Sequence, residues 1–153
     1  MRLAAVAALA ATVACSPVTT RPPYGPLPRA AAVLLAADPP QVAAEAAAWL
    51  RTQRIPLERA SEVDRFIETA WYAPPPDSAR TAAGPAPTRV KTRIWADPAG
   101  PGRTRLTVET VYRQVEDPSR TPRDLDLVVL PGTPGHGLAD QLIAALTTRF
   151  GAL

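Results

Sequence analysis

Few residues of this chain carry side chains suited to covalent or proton-transfer chemistry. Cys15 is the only cysteine and His136 the only histidine. One cysteine excludes a disulfide within the chain. His136 sits in the loop Pro131-Gly132-Thr133-Pro134-Gly135-His136-Gly137, with no cysteine or second histidine beside it to share a metal. Nor does it have partners spaced for a Ser-His-Asp arrangement. Glycines ahead of a helix suggest phosphate binding at a helix N-terminus. This loop lacks both the Lys-Ser/Thr ending of a P-loop and the glycine spacing of a dinucleotide fingerprint, and it reads as a connector. The carboxylates are scattered, with no pair evident for acid–base work. The expectation is a protein without catalytic residues, cofactor or metal, hence not an enzyme.

The start of the chain gives Cys15 a different chemistry. Met1 and Arg2 form a short positive opening, residues 3–13 carry no charge and are almost all apolar, and Thr12-Val13-Ala14-Cys15 follows. A positive n-region, an apolar h-region and small residues at the end make an export signal. The run is too short for a transmembrane helix, which needs about 20 apolar residues. With the cysteine at its end, it resembles a bacterial lipoprotein signal peptide. The resemblance implies cleavage before Cys15, a diacylglyceryl group on its sulfur and an acyl chain on its amine. Each buried methylene contributes ~0.8 kcal/mol, so two or more chains hold a protein firmly on a membrane. Thr12 stands where such signals most often have Leu. Ser16, in place of the Asp that retains lipoproteins in the inner membrane, implies a lipid-anchored, periplasm-facing protein of a Gram-negative outer membrane. The plainer alternative is an Ala-rich N-terminus on a soluble protein. Export excludes a nucleic-acid partner.

Composition divides the chain into residues 1–14 as signal peptide, 15–37 as a Pro/Ala-rich tether and 38–153 as a single domain. Of 19 prolines, five fall within 16–29 and five within 73–87. The first cluster reads as a semi-rigid spacer lifting the domain off the bilayer, the second as a long surface loop. Residues 30–37 are eight apolar residues, suited to a short strand or to an ordered segment covering the domain.

Elements follow from periodicity. Asp38-Pro39-Pro40 is a helix start, with Asp38 as side-chain cap and Pro in the first turn. Val42, Ala46, Trp49, Leu50 and Gln53 then recur at helical spacing. Residues 65–72 read as a strand with Ile67 and Trp71 facing the core. Residues 88–95 and 105–113 alternate around Asp97-Pro98-Ala99-Gly100-Pro101-Gly102, which makes a β-hairpin. Residues 125–130 read as a last short strand, and 138–150 as a closing helix. The sum is an α+β fold, a two-layer sandwich of a mostly antiparallel sheet with two helices packed on one face. Its expected core is Val42, Ala46, Trp49, Leu50, Ile67, Val90, Ile94, Leu106, Val108, Leu142 and Leu146.

The formal net charge is +3, and Lys91 is the one lysine among 17 basic residues. Planar, bidentate guanidinium groups suit phosphate or headgroup binding. A GC-rich genome, which raises Ala, Pro, Arg and Gly together, gives the same composition. The polar side of the hairpin collects Arg89, Lys91, Arg93, Arg105 and Arg113, with Glu109 among them. This is a candidate basic interaction face. Its plainer reading is a solvated sheet face whose charges resist edge aggregation.

Ala47-Ala48-Trp49-Leu50, Ile55 and Asp64-Arg65-Phe66-Ile67-Glu68-Thr69-Ala70-Trp71, in the order helix, short strand, strand, long loop, hairpin and helix, resemble the repeat of BamC-type lipoproteins. These are accessory lipoproteins of the outer-membrane β-barrel assembly machinery. The resemblance spans about residues 40–150 and implies a helix-grip-like sheet. It carries over no site residue other than the lipidated Cys15, and a family glycine before the second strand is replaced here by Arg65 or Phe66. The implied function is a non-enzymatic, lipid-anchored interaction module of the envelope with a protein partner. The alternative is a lipoprotein that binds a lipid or small ligand between its helices and sheet.

Overall fold

The computed structural model describes residues 19–74, 88–133 and 135–153. The expected signal peptide, Cys15 and most of the Pro-rich 73–87 stretch lie outside the described residues.

Six strands form one sheet: β1 (Ala31–Leu35), β2 (Leu57–Ser61), β3 (Phe66–Thr69), β4 (Lys91–Pro98), β5 (Thr104–Tyr112) and β6 (Leu127–Val128). Their order is β1-β5-β4-β3-β2, with β6 beside the far end of β5, and every pairing is antiparallel. Helices α1 (Pro39–Thr52) and α2 (His136–Phe150) cover one face. The architecture is the expected α+β sandwich.

Alternation in β4 and β5 assigns the two faces. Ile94, Ala96, Leu106 and Val108 point to the helices and meet Val42, Ala46, Leu50, Leu142 and Leu146 in one core. Each fully buried aliphatic side chain there contributes roughly 1.5–3 kcal/mol. All the expected core residues lie in this cluster except Trp49, which is half-buried against it, while Gln53 is exposed. Asp38 starts α1 with its backbone, accepting from Val42 N–H at 3.1 Å, and makes no side-chain cap. The prolines after it have no N–H to satisfy, so the helix start needs less capping. Gly135 precedes α2 at φ 96°, where a Cβ would lie 3.1 Å from Val90 Cγ1. Only glycine fits this left-handed, crowded position.

The 15–37 stretch is shorter as a tether than its composition suggests. Ala31–Leu35 is an edge strand in register with β5, from Ala31 opposite Val108 to Leu35 opposite Thr104. The C-terminus closes beside it: Ala36 N–H donates to Gly151 C=O at 3.2 Å and Leu153 N–H to Leu34 C=O at 3.1 Å.

Trp71 does not face the core. Ile67 pairs with Ile94 and Glu68 with Arg93, a register that would set Trp71 opposite Val90. Instead Tyr72 pairs with Val90. One extra residue after β3 forms a bulge, and a one-residue slip exchanges faces. Tyr72 enters the core side, its hydroxyl 2.8 Å from that of Thr92, which is 3.1 Å from that of Thr110. Burial pushes the Tyr72 phenol up to about 12. Trp71 goes to the other face.

Candidate functional site

The face opposite the helices carries Phe66 and Glu68 from β3, Lys91, Arg93 and Trp95 from β4, and Thr107, Glu109 and Val111 from β5, all of them buried. Alternation alone puts these side chains together. Register then sets Arg93 directly between Glu68 and Glu109.

Arg93 is the hub and is 3% exposed. Its Nε donates to Glu68 Oε1 at 2.9 Å, and its Nη1 donates to Glu109 Oε1 at 3.0 Å and to Asp126 Oδ2 at 2.7 Å. Asp126 follows the 3-10 turn Pro122–Leu125. Burial opposes the Arg93 charge, but the bonds to Glu68 and Asp126 outweigh it and hold its pKa above the usual arginine value. Arg113 Nε donates to Asp126 Oδ1 at 2.7 Å, and Arg123 grips Glu109 through both Nη atoms. On the other side Lys91 Nζ bonds Glu58 at 2.7 Å and lies 3.4 Å from Glu68, with Arg59 3.5 Å from the second Glu68 oxygen. Lys91 holds the Glu58 carboxyl below the usual carboxylate range. A network of this kind returns its desolvation cost only when every member is bonded, and these geometries meet that condition.

The N-terminal segment covers this network. Thr19 Oγ1 donates to Asp64 Oδ1 at 3.0 Å, while Thr20 N–H and its hydroxyl donate to Oδ2 at 2.7 and 2.6 Å. Those Thr20 bonds, with smaller help from Thr19 and Ser61, hold the Asp64 carboxyl down at about 2. Arg21 Nη2 then bonds Asp97 at 2.6 Å. Tyr24 lies against the guanidinium groups of Arg93 and Arg123, at 5.6 and 4.5 Å from its ring centre. Gly25 C=O accepts from Arg123 at 2.8 Å, and Leu27 N–H donates to Glu109 Oε2. Pro22-Pro23 fall between Arg21 and Tyr24, whose partners Asp97 and Arg93 stand on either side of Trp95 along β4; Trp95 is fully buried and packs at a tilt against Phe66, 5.4 Å between ring centres. Pro22 and Pro23 offer no N–H, so this stretch lies on the sheet as a strap and does not extend it. The left-handed turn at Arg29 (φ 76°) leads the strap into β1.

The five expected basic residues therefore do not form one exposed face. Lys91 and Arg93 are buried and ion-paired. Arg113 is half-buried on Asp126 and stacks on Trp71 at 4.9 Å, with Lys91 5.6 Å from the same ring. Arg89 is exposed and donates to Trp71 C=O at 3.0 Å. Arg105 is exposed at the opposite end of the sheet, opposite Asp97. Sequence reasoning missed the partners Glu58, Glu68, Asp126 and Arg123, and the covering Tyr24. The one available signal was Tyr24 itself, an aromatic within a segment otherwise composed as a linker.

Beside Trp71 an open cleft of about 220 Å³ is lined by Thr88, Arg89, Arg113, Gln114, Val115 and Glu116. His136 opens α2 with its Nδ1 2.8 Å from Asp140 Oδ2, one helical turn on. Among the described residues no group of His, Cys, Asp and Glu is arranged to hold a metal ion, and no helix is long and apolar enough to cross a membrane. Compared with known proteins, the chain matches no family model, no curated protein and no solved structure.

Proposed function

We propose that this chain is a lipid-anchored interaction module of the cell envelope, held at the membrane through Cys15 and acting by binding a protein partner. Placement at the outer membrane, facing the periplasm and serving as an accessory of β-barrel assembly, is the specific form of this reading.

The observation that carries it is how the two sheet faces are used. One is filled by the helices with fully buried aliphatic side chains, the other by ion pairs and the strap. Among the described residues an open hollow of about 440 Å³ lies on the helices, lined by Gln41, Ala44, Glu45, Arg149 and Phe150, and a cleft lies at the far end of the sheet. At about 220 Å³ the cleft is smaller than the ~300–1,000 Å³ pockets that enclose small ligands. Its half-buried Trp71 and its arginines are residue types that anchor protein interfaces, and the 64% exposed Val115 adds apolar area beside them. Leu127 and Leu130, 42% and 48% exposed on and after β6, extend the same end. The space between helices and sheet is itself filled by the buried aliphatic core, which favours a protein partner over the alternative of a ligand held there.

The test is crosslinked affinity purification of the full-length protein from detergent-solubilised membranes, with Cys15→Ser as control. Barrel-assembly components recovered with the wild type and lost with Cys15→Ser would support the reading. Their absence from both samples would overturn the assembly role. A small molecule or lipid co-purifying in stoichiometric amount would favour the alternative.

A further inference from the structure

The strap limits how far the domain can stand from its anchor, and from this we infer that the end of the sheet bearing the β2–β3 and β4–β5 turns faces the membrane and contacts lipid headgroups. The inference rests on the lipid anchor at Cys15 proposed above.

The argument is one of reach. Thr19 and Thr20 are fixed on Asp64 in the β2–β3 turn, and Arg21 on Asp97 at the end of β4. Thr19 follows Cys15 by four residues. Whatever their conformation, four residues span at most about 14 Å, at ~3.6 Å each when fully extended. Strand β5 alone has nine residues and so runs for about 30 Å, at ~3.4 Å per residue. With its acyl chains in the bilayer, a lipidated Cys15 sits at headgroup level, so the Asp64 turn is drawn to the surface, and the far end of the sheet lies beyond the tether's reach.

The chemistry of the near end fits a headgroup layer. Ser61 pairs with Phe66 and Phe66 with Trp95, while Pro98 pairs with Thr104, so the two turns lie at the same end. Val63, at the tip of the first, is 87% exposed. Arg103 and Arg105, at the second, are exposed and stand outside the buried ion network. An exposed apolar side chain beside exposed arginines suits insertion at an anionic surface. Carboxylates at this end oppose the attraction: Glu62 and Asp64 in the first turn, Asp38, and Asp97, which Arg21 pairs. With this end down, the Trp71 cleft faces away from the bilayer, where a partner has access to it.

The experiment uses the full-length lipidated protein in vesicles of phosphatidylethanolamine and phosphatidylglycerol, with a contact quencher on a fraction of the headgroups. Lipidation consumes the Cys15 thiol, so a fluorophore attaches only to an introduced cysteine, Val63→Cys or Val115→Cys, both on exposed sites. The expected result is several-fold stronger quenching at 63 than at 115. Inserting about a dozen Gly/Ser residues after Pro17 should release the constraint and abolish that difference. Equal quenching at both sites in vesicle-bound protein, or stronger quenching at 115, overturns the orientation and leaves the anchor intact. Protein that does not float with the vesicles, and whose Cys15 takes up the fluorophore, overturns the anchor and the orientation with it.

Discussion

Arg93 and Asp126 meet at 2.7 Å across a space that neither could occupy alone: each is at most 5% exposed, and each has further partners of the opposite charge. Removing either leaves the other's remaining contacts with a charge too many. Arg93→Ala should therefore destabilise the domain by ~3–5 kcal/mol, the usual cost of breaking a buried pair from one side. Denaturant unfolding followed by tryptophan fluorescence measures this. A loss below about 1 kcal/mol would mean that water already reaches the network.

Tyr24→Ala should cost less and act locally. The ring's contacts with Arg93 and Arg123 are worth about 0.5–2 kcal/mol together with the area they cover. Hydrogen exchange at Leu27 N–H, which reports the strap's bond to Glu109, should accelerate, while exchange within β4 stays close to that of the wild type.

Acid should loosen the strap at its start. The Asp64 carboxyl is held down at about 2 by Thr20, so its pKa is lower folded than unfolded. Such a group contributes stability that is complete above the unfolded pKa, near 3.8, and is lost as pH falls through about 2. Protease cutting within residues 19–30, followed from pH 5 downward, should rise across that window. In Asp64→Asn the wild-type rise should be missing, because cutting is already raised at pH 5.

Gly135→Ala forces a Cβ toward Val90 in a left-handed backbone at φ 96°. The expected loss is more than about 1 kcal/mol. Gly25→Ala, with nothing within 4 Å of the added carbon, is the matched control and should be near neutral. Thermal unfolding compares the two.

The β4–β5 hairpin was legible because period-2 alternation over two long strands assigns every residue to a face. Alternation does not say what lies on that face. Lys91 and Arg93 look solvated on their own, and their cover comes from a Pro-rich stretch about 70 residues earlier, which composition marks as a spacer. Glu68, Glu109 and Asp126 likewise look scattered, because only the pairing of β3, β4 and β5 brings them around one guanidinium. Trp71 was misplaced by a single bulged residue, which carries no proline or glycine to announce it.

The strap also has a consequence in time. Its partners are Asp64, Arg93, Asp97, Glu109 and Arg123, and β1 has its place only beside β5. All of them follow it in the chain, most by about 70 residues or more. A chain delivered N-terminus first could not seat residues 19–35 completely until β5 and Arg123 had emerged, because these non-local contacts are among the last that can form. On the lipid anchor proposed above, modification of Cys15 would come before the strap is fully seated, and folding itself would then shorten the leash.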